Sequence, residues 1–125
     1  MTNGQRSARI AIIGMGPRGL GALEALAARL QGLDRTVEVD AFDPFAAPGA
    51  GPNFSPDESR SCLLNIPIRD IAIRPPAFSR CGGFAEWLDR APDPDGFPPR
   101  AELGRYLEAR HADLIASGLL QITCV

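Results

Sequence analysis

Three glycines, Gly14, Gly16 and Gly19, stand between an aliphatic run, Arg9-Ile10-Ala11-Ile12-Ile13, and an alanine- and leucine-rich stretch from Leu20 to Leu30. A G-x-G-x-x-G turn that leaves a strand and opens a helix is suited to holding a dinucleotide pyrophosphate. Gly14 makes the tight turn out of the strand. Gly16, without a Cβ, lets phosphate approach the backbone, and Gly19 lets helix and strand pack closely. The anion then meets the helix N-terminus, where unpaired N–H groups and the macrodipole favour negative charge. A glycine-rich turn alone is weak evidence, so the surrounding elements have to carry the reading.

Those elements are in register. Arg9 to Ile13 reads as a buried strand. Leu23, Leu26, Ala27 and Leu30 recur at helical spacing, in residues of high helix propensity. Pro17 is compatible with the first turn, where its missing N–H has no partner to lose. After a break at Gly32-Leu33-Asp34-Arg35, Thr36 to Phe42 reads as a second strand that ends at Asp43. Asp43 lies 24 positions after Gly19, against the roughly 20 expected of a carboxylate that bonds a ribose. An acid followed by Pro44 also starts turns, so the ribose role and a local turn role both stand. The acid disfavours a 2′-phosphorylated ribose at this site, since the two anions repel.

The chain has 125 residues, 45% hydrophobic content and a formal charge of −2, which suits one small α/β domain or part of a larger one. The charge lacks the basic footprint of a nucleic-acid binder. No apolar stretch nears the roughly 20 residues of a membrane span, and the N-terminus has no signal-peptide pattern. Cys62, Cys81 and Cys124 are odd in number, widely spaced and free of C-x-x-C, a pattern of reduced thiols rather than of a disulfide framework or a metal site. These features lead us to expect a cytoplasmic protein with neither nucleic-acid nor membrane partners.

Beyond Asp43, Pro44 to Asn53 is a proline- and glycine-rich loop at the carboxyl end of the second strand, where ligands of open α/β sheets bind. Gly49 and Gly51 there serve either close ligand approach or turn geometry. Gly83 to Arg90 reads as a short helix with Phe84, Trp87 and Leu88 on an apolar face, which makes Trp87 a packing residue rather than a cofactor-stacking one. Asp93 and Asp95 fall in a second proline-rich loop and read as solvated turn acids. Glu102 to Ser117 reads as a helix with Leu103, Tyr106, Leu107 and Leu114 on one side, and Gly118 reads as its terminator. His111, the single histidine, lies among charged neighbours and reads as an exposed helical residue. Leu119 to Val125 has a strand pattern. No G-x-S-x-G or H-E-x-x-H is present, so no catalytic side chain is assigned.

The segments GMGPRGLGALEAL, FDPFAAPGAG, LLNIP, FAEWL and FPPRAELGRYLEAR, in that order, resemble the N-terminal region of flavin-dependent monooxygenase-like FAD/NAD(P)-binding proteins. The bacterial group that includes FAD-dependent urate hydroxylases and L-aspartate N-monooxygenases is the one it is similar to. More distantly, Pro99, Arg100, Glu102, Tyr106 and Leu107 resemble a pattern of ornithine and lysine N-hydroxylases. The resemblance runs from about Arg9 to Val125. It implies that residues 1–125 are a partial, Rossmann-like three-layer α/β domain: β-α-β, a helical insertion and a further parallel strand. It implies FAD as cofactor, with Gly14, Gly16, Pro17, Arg18 and Gly19 around the pyrophosphate and Asp43, with Pro44 beside it, at the adenosine ribose. Asn65 would lie near the flavin end. Arg100 would hold cofactor or order its loop, although a surface ion pair with Glu102 or Asp95 serves equally well. Val125 would offer backbone bonds to adenine.

Such proteins run to several hundred residues and carry a second glycine fingerprint for NAD(P)H. No such fingerprint follows Gly19. The chain therefore resembles an N-terminal piece that needs a complementary polypeptide segment for turnover on a small-molecule substrate. In intact relatives NAD(P)H reduces the flavin, and reduced flavin and O2 then oxygenate the substrate. Two rival readings use the same glycines and acid: an NAD(H)-binding oxidoreductase and a non-catalytic dinucleotide-binding module.

Overall fold

The computed structural model describes residues 7–88 and 92–125. Strand β1 (Ala8–Ile13) turns through the glycines into helix α1 (Pro17–Leu30), and β2 (Val37–Phe42) follows. A long connection then carries two single 3₁₀ turns, Pro52–Phe54 and Ile68–Asp70, and the short helix α2 (Phe84–Trp87). Helix α3 (Arg100–Ala116) and strand β3 (Gln121–Cys124) complete the order. Helix α1 begins at Pro17, inside the glycine motif, and α3 begins at Arg100, two residues ahead of the expected Glu102. The expected helix from Gly83 to Arg90 is realised as Phe84–Trp87, and the part of that expectation over 89–90 falls outside the described residues.

All three strands are parallel, in the order β1-β2-β3, with Ile10 opposite Val39 and Val39 opposite Ile122. This is a partial Rossmann-like α/β arrangement, one open parallel sheet with helices packed on it. The alternation of β2 fixes which face they cover: Val37, Val39 and Ala41 are buried, while Glu38 and Phe42 are exposed. Val39 and Ala41 join Leu20, Leu23 and Ala27 of α1 and Tyr106, Leu107 and Leu114 of α3 in one core. Of the four residues at helical spacing, Leu23, Ala27 and Leu30 are buried and Leu26 is half-buried against the same core. Trp87 is also a packing residue, its ring centroid 5.6 Å from that of Tyr106. Gly118, at φ +66°, follows the last turn of α3 and donates its N–H to the Ile115 carbonyl.

Two expectations change. Strand β1 is not buried: Ile10 is exposed and Ile13 is 90% exposed. The reason is topological, because β1 is an edge strand among the described residues, and every second residue faces the uncovered side of the sheet. His111 is half-buried rather than exposed. Its Nε2 is enclosed with no hydrogen-bond partner among the described residues, and burial holds its pKa below the ordinary value. Charged neighbours in sequence mislead here because residues adjacent on a helix point to different faces.

Candidate dinucleotide-binding site

The glycine turn is locked by backbone and by one carboxylate. Gly14, at φ +96°, donates its N–H to the Phe42 carbonyl, which joins the ends of β1 and β2. A Cβ on Gly19 would overlap the Gly14 carbonyl oxygen and lie 3.2 Å from its carbon. Gly19 is therefore glycine so that the turn can close on the helix. The first intrahelical bond runs from the Leu20 N–H to the Gly16 carbonyl, 3.0 Å. The amides of Arg18 and Gly19 precede it, as orphan donors of a helix start do. Around this turn lies an open cavity of about 680 Å³, lined by Gly14, Gly16, Pro17, Arg18 and Gly19 on one side and by Asn53 and Phe54 on the other.

Asp43 serves this turn directly. One carboxylate oxygen accepts the Met15 N–H at 2.5 Å and the other accepts the Phe45 N–H at 2.8 Å. The acid thus pins the glycine turn to the end of β2 and starts the next loop, and it does not itself line either cavity described here. The loop after it folds back on the turn. The Gly49 N–H donates to the Met15 carbonyl at 2.6 Å, and a Cβ on Gly51 would lie 3.2 Å from the Gly16 Cα. Loop glycine meets motif glycine.

A second cavity, about 620 Å³ and mostly apolar, shares Pro17, Asn53 and Phe54 with the first. Its other walls are Leu64, Asn65 and Ile66, the segment Asp70 to Ile73, and Arg100, Leu103 and Leu107 of α3. Volume and apolar character are those of a small-molecule site. Two segments far apart in sequence meet at its edge. Leu63 and Pro99 form an antiparallel bridge, the Leu64 N–H donates to the Pro98 carbonyl, and the Arg100 N–H donates to the Cys62 carbonyl. The Arg100 side chain completes the join by donating Nε–H to the Leu63 carbonyl, 3.1 Å. Of the two acids considered as its partners, Glu102 pairs with Arg60 and Asp95 with Arg69.

The structure thus gathers Gly14, Gly16, Pro17, Arg18 and Gly19 around one cavity and Asn65 and Arg100 around its neighbour, with Asp43 bonded to the glycine turn behind the first. Pro44 and Val125 line neither cavity. The Val125 N–H is engaged by the Ala41 carbonyl at 2.8 Å. One contributor was not singled out from sequence: Gly104, in the middle of α3. A Cβ there would overlap the Phe54 carbonyl oxygen and lie 2.9 Å from its carbon. Its absence lets the segment that separates the two cavities seat on α3. A glycine inside a helix carries a cost of about 1 kcal/mol against alanine, and that cost was the available signal.

An open parallel sheet, a glycine turn into a helix, and two adjoining cavities, one of them at that turn, define a dinucleotide-binding domain of the FAD or NAD(P) class. The model of the FAD-NAD(P)-binding family matches residues 11–125, and the chain belongs to that family. It is similar to nitrosuccinic acid synthase npaA of Aspergillus oryzae (strain ATCC 42149 / RIB 40), with 35% identity over 121 residues, 85% of this chain and 18% of that protein. It is also similar to L-aspartate N-monooxygenase (nitrosuccinate-forming) of Streptomyces davaonensis, with 30% identity over 130 residues, 82% of this chain and 20% of that protein. The chain spans about a fifth of the length of these relatives. Among the described residues, no helix is long and apolar enough to cross a membrane, and no group of three or more His, Cys, Asp or Glu is placed to hold a metal ion.

Proposed function

We propose that residues 1–125 form one partial domain that binds FAD for a flavoprotein monooxygenase acting on a small molecule, with NAD(P)H as the reductant of the complete enzyme. The observation that carries this is the adjacency of the two cavities, which share Pro17, Asn53 and Phe54 in their walls. One end offers helix-start amides and glycine backbone, which suit a pyrophosphate. The other offers apolar walls of the kind that enclose a flat ring. Gly14, Gly16, Pro17, Arg18 and Gly19 would hold the pyrophosphate. Asn65 and Arg100 would stand at the flavin end. Asp43 keeps the turn in shape, and its remaining lone pairs, with Pro44 beside it, would serve the adenosine ribose. Val125 would reach adenine through its carbonyl.

When bound, the flavin supplies the redox chemistry, and the protein contributes binding, orientation and exclusion of water. That division agrees with a site built largely from backbone. The similarity to an L-aspartate N-monooxygenase suggests an amino-group-bearing substrate, whose contacts would come from sequence beyond this segment. The edge of β1, unpaired among the described residues, and the exposed Ile13 and Phe42 would receive a complementary polypeptide segment, without which turnover is not expected. Three free thiols suit a cytoplasmic setting.

Titration of the purified chain with FAD, followed by flavin absorbance and fluorescence, tests the reading. Saturable binding that NAD does not displace supports it. Binding of NAD in preference to FAD refutes it in favour of a nicotinamide domain, and binding of neither by a folded chain refutes autonomous FAD binding.

A further inference from the structure

The apolar cavity has walls from three separate elements: Pro17 at the start of α1, the segment Asp70–Ile73, and Leu103 and Leu107 of α3. None of these is covalently next to another, so something must fix their spacing. One side chain of α3 reaches both α1 and the residue that follows the 70–73 segment. Arg110 of α3 donates Nε–H to Glu24 Oε2 at 3.0 Å and Nη2–H to Glu24 Oε1 at 2.7 Å, a bidentate grip on α1. The same Nη2 lies 3.4 Å from the carbonyl of Arg74, the residue after Ile73. Its guanidinium stands 5.6 Å over the ring of Tyr106, whose hydroxyl donates to the Gly82 carbonyl at 2.7 Å.

We propose that Arg110, with Glu24, is the positioning residue of the apolar cavity, setting the gap between α1, α3 and the 70–74 segment into which the flavin end of the cofactor fits. The inference rests on the FAD reading above. Both side chains are 5% exposed, and a buried ion pair is weak as a source of stability, since desolvation offsets much of the attraction. What the pair does supply is direction. A planar fork holds a carboxylate in one orientation, which a greasy contact of equal volume does not. Arg110 is remote from the glycine turn in function, because the turn is held by Asp43 and by the Phe42 carbonyl instead. The two halves of the site therefore have separate supports.

Calorimetric titration with two ligands separates these supports: ADP, which engages the glycine turn alone, and FAD, which needs both cavities. In Arg110→Lys the charge remains but the fork is lost, and in the double variant Glu24→Leu/Arg110→Met apolar side chains replace the pair, an exchange that folds often tolerate. The expected result is that ADP affinity stays within about twofold of wild type while FAD affinity falls about tenfold, the scale of one hydrogen bond from a charged group. An equal loss for both ligands, no loss for FAD, or melting of both variants would each assign the pair to stability and overturn the proposal. Wild-type protein that binds neither ligand would instead refute autonomous FAD binding by this chain, and this inference with it.

Discussion

Gly16 and Gly19 belong to one motif but have different reasons to be glycine, and alanine at each position separates them. At Gly19 a methyl group would overlap the Gly14 carbonyl oxygen. The turn would have to open by about an ångström, a distortion at the upper end of overpacking costs, about 3 kcal/mol. For a chain of this size that lowers Tm by roughly 10 °C. At Gly16 the same methyl would lie 3.8 Å from the Gly51 Cα, an ordinary contact. Gly16→Ala should therefore melt within a degree or two of wild type. Valine there is a poorer probe, because its branches would reach on into the Gly51 loop. Gly16 lines the cavity where phosphate would meet backbone, and an added methyl is expected to crowd that approach. If it costs one hydrogen bond to a charged group, affinity for ADP falls about tenfold or more. Thermal melts by circular dichroism and ADP titration by calorimetry read the two effects independently. A Gly16→Ala protein that folds and binds ADP like wild type would refute phosphate approach at this turn. A Gly19→Ala protein of unchanged Tm would refute the close-packing argument.

Three further outcomes follow from the same geometry. Gly104→Ala should lower Tm, because the clash with Phe54 outweighs the gain of about 1 kcal/mol in helix propensity; a rise in Tm would contradict this. Burial alone would push the Asp113 carboxyl pKa up, but bonds from the Arg80 N–H, the Cys81 thiol, the Ser79 hydroxyl and the Cys81 N–H outweigh it and hold the value low. The stabilisation is then complete above about pH 4 and is lost as pH falls through the lowered folded value. Asp113→Asn should thus lose stability at pH 7 and progressively less as pH falls below about 4, as acid-dependent melts would show. His111 is held neutral by burial, whereas the unfolded chain takes up a proton below about pH 6.5. Stability should therefore fall as pH drops from about 6.5 toward the folded value, and His111→Gln should flatten that slope; an unchanged slope would mean that His111 is not the group responsible.

The parts of this fold that the sequence made legible are those in which local chemistry and global need agree. The spacing of Leu23, Ala27 and Leu30 names the buried face of α1, and Gly14 and Gly19 mark a turn that nothing larger would permit. The exposure of β1 was hidden because an aliphatic run has the same composition at the edge of a sheet as at its centre. Tertiary position, not propensity, decides its burial. His111 was misjudged for a related reason: its sequence neighbours are charged, but its packing neighbours lie a turn away. Arg110 and Glu24 are 86 positions apart, and each by itself reads as a solvated helix charge. Only the approach of α1 to α3 turns them into a buried pair.

Asp43 shows why the candidate site was easier to locate than to explain. Its spacing from the glycines pointed to a ribose, and the fold instead spends one lone pair of each carboxylate oxygen on the amides of Met15 and Phe45. The two roles do not exclude each other, since each carboxylate oxygen has capacity for a second bond. The order of dependence matters, however. Removing the carboxylate would free the Met15 amide at the centre of the glycine turn before any ligand arrived. Asp43→Asn keeps one acceptor oxygen and places an NH2 against either the Met15 or the Phe45 N–H. A loss of ADP affinity in that variant would therefore not by itself identify a ribose contact. The discriminating comparison is adenosine against pyrophosphate. If Asp43 acts only by shaping the turn, Asp43→Asn weakens pyrophosphate and leaves adenosine unaffected; if it also bonds ribose, both weaken. Loss confined to adenosine would refute the turn-shaping role and leave the ribose as its sole partner.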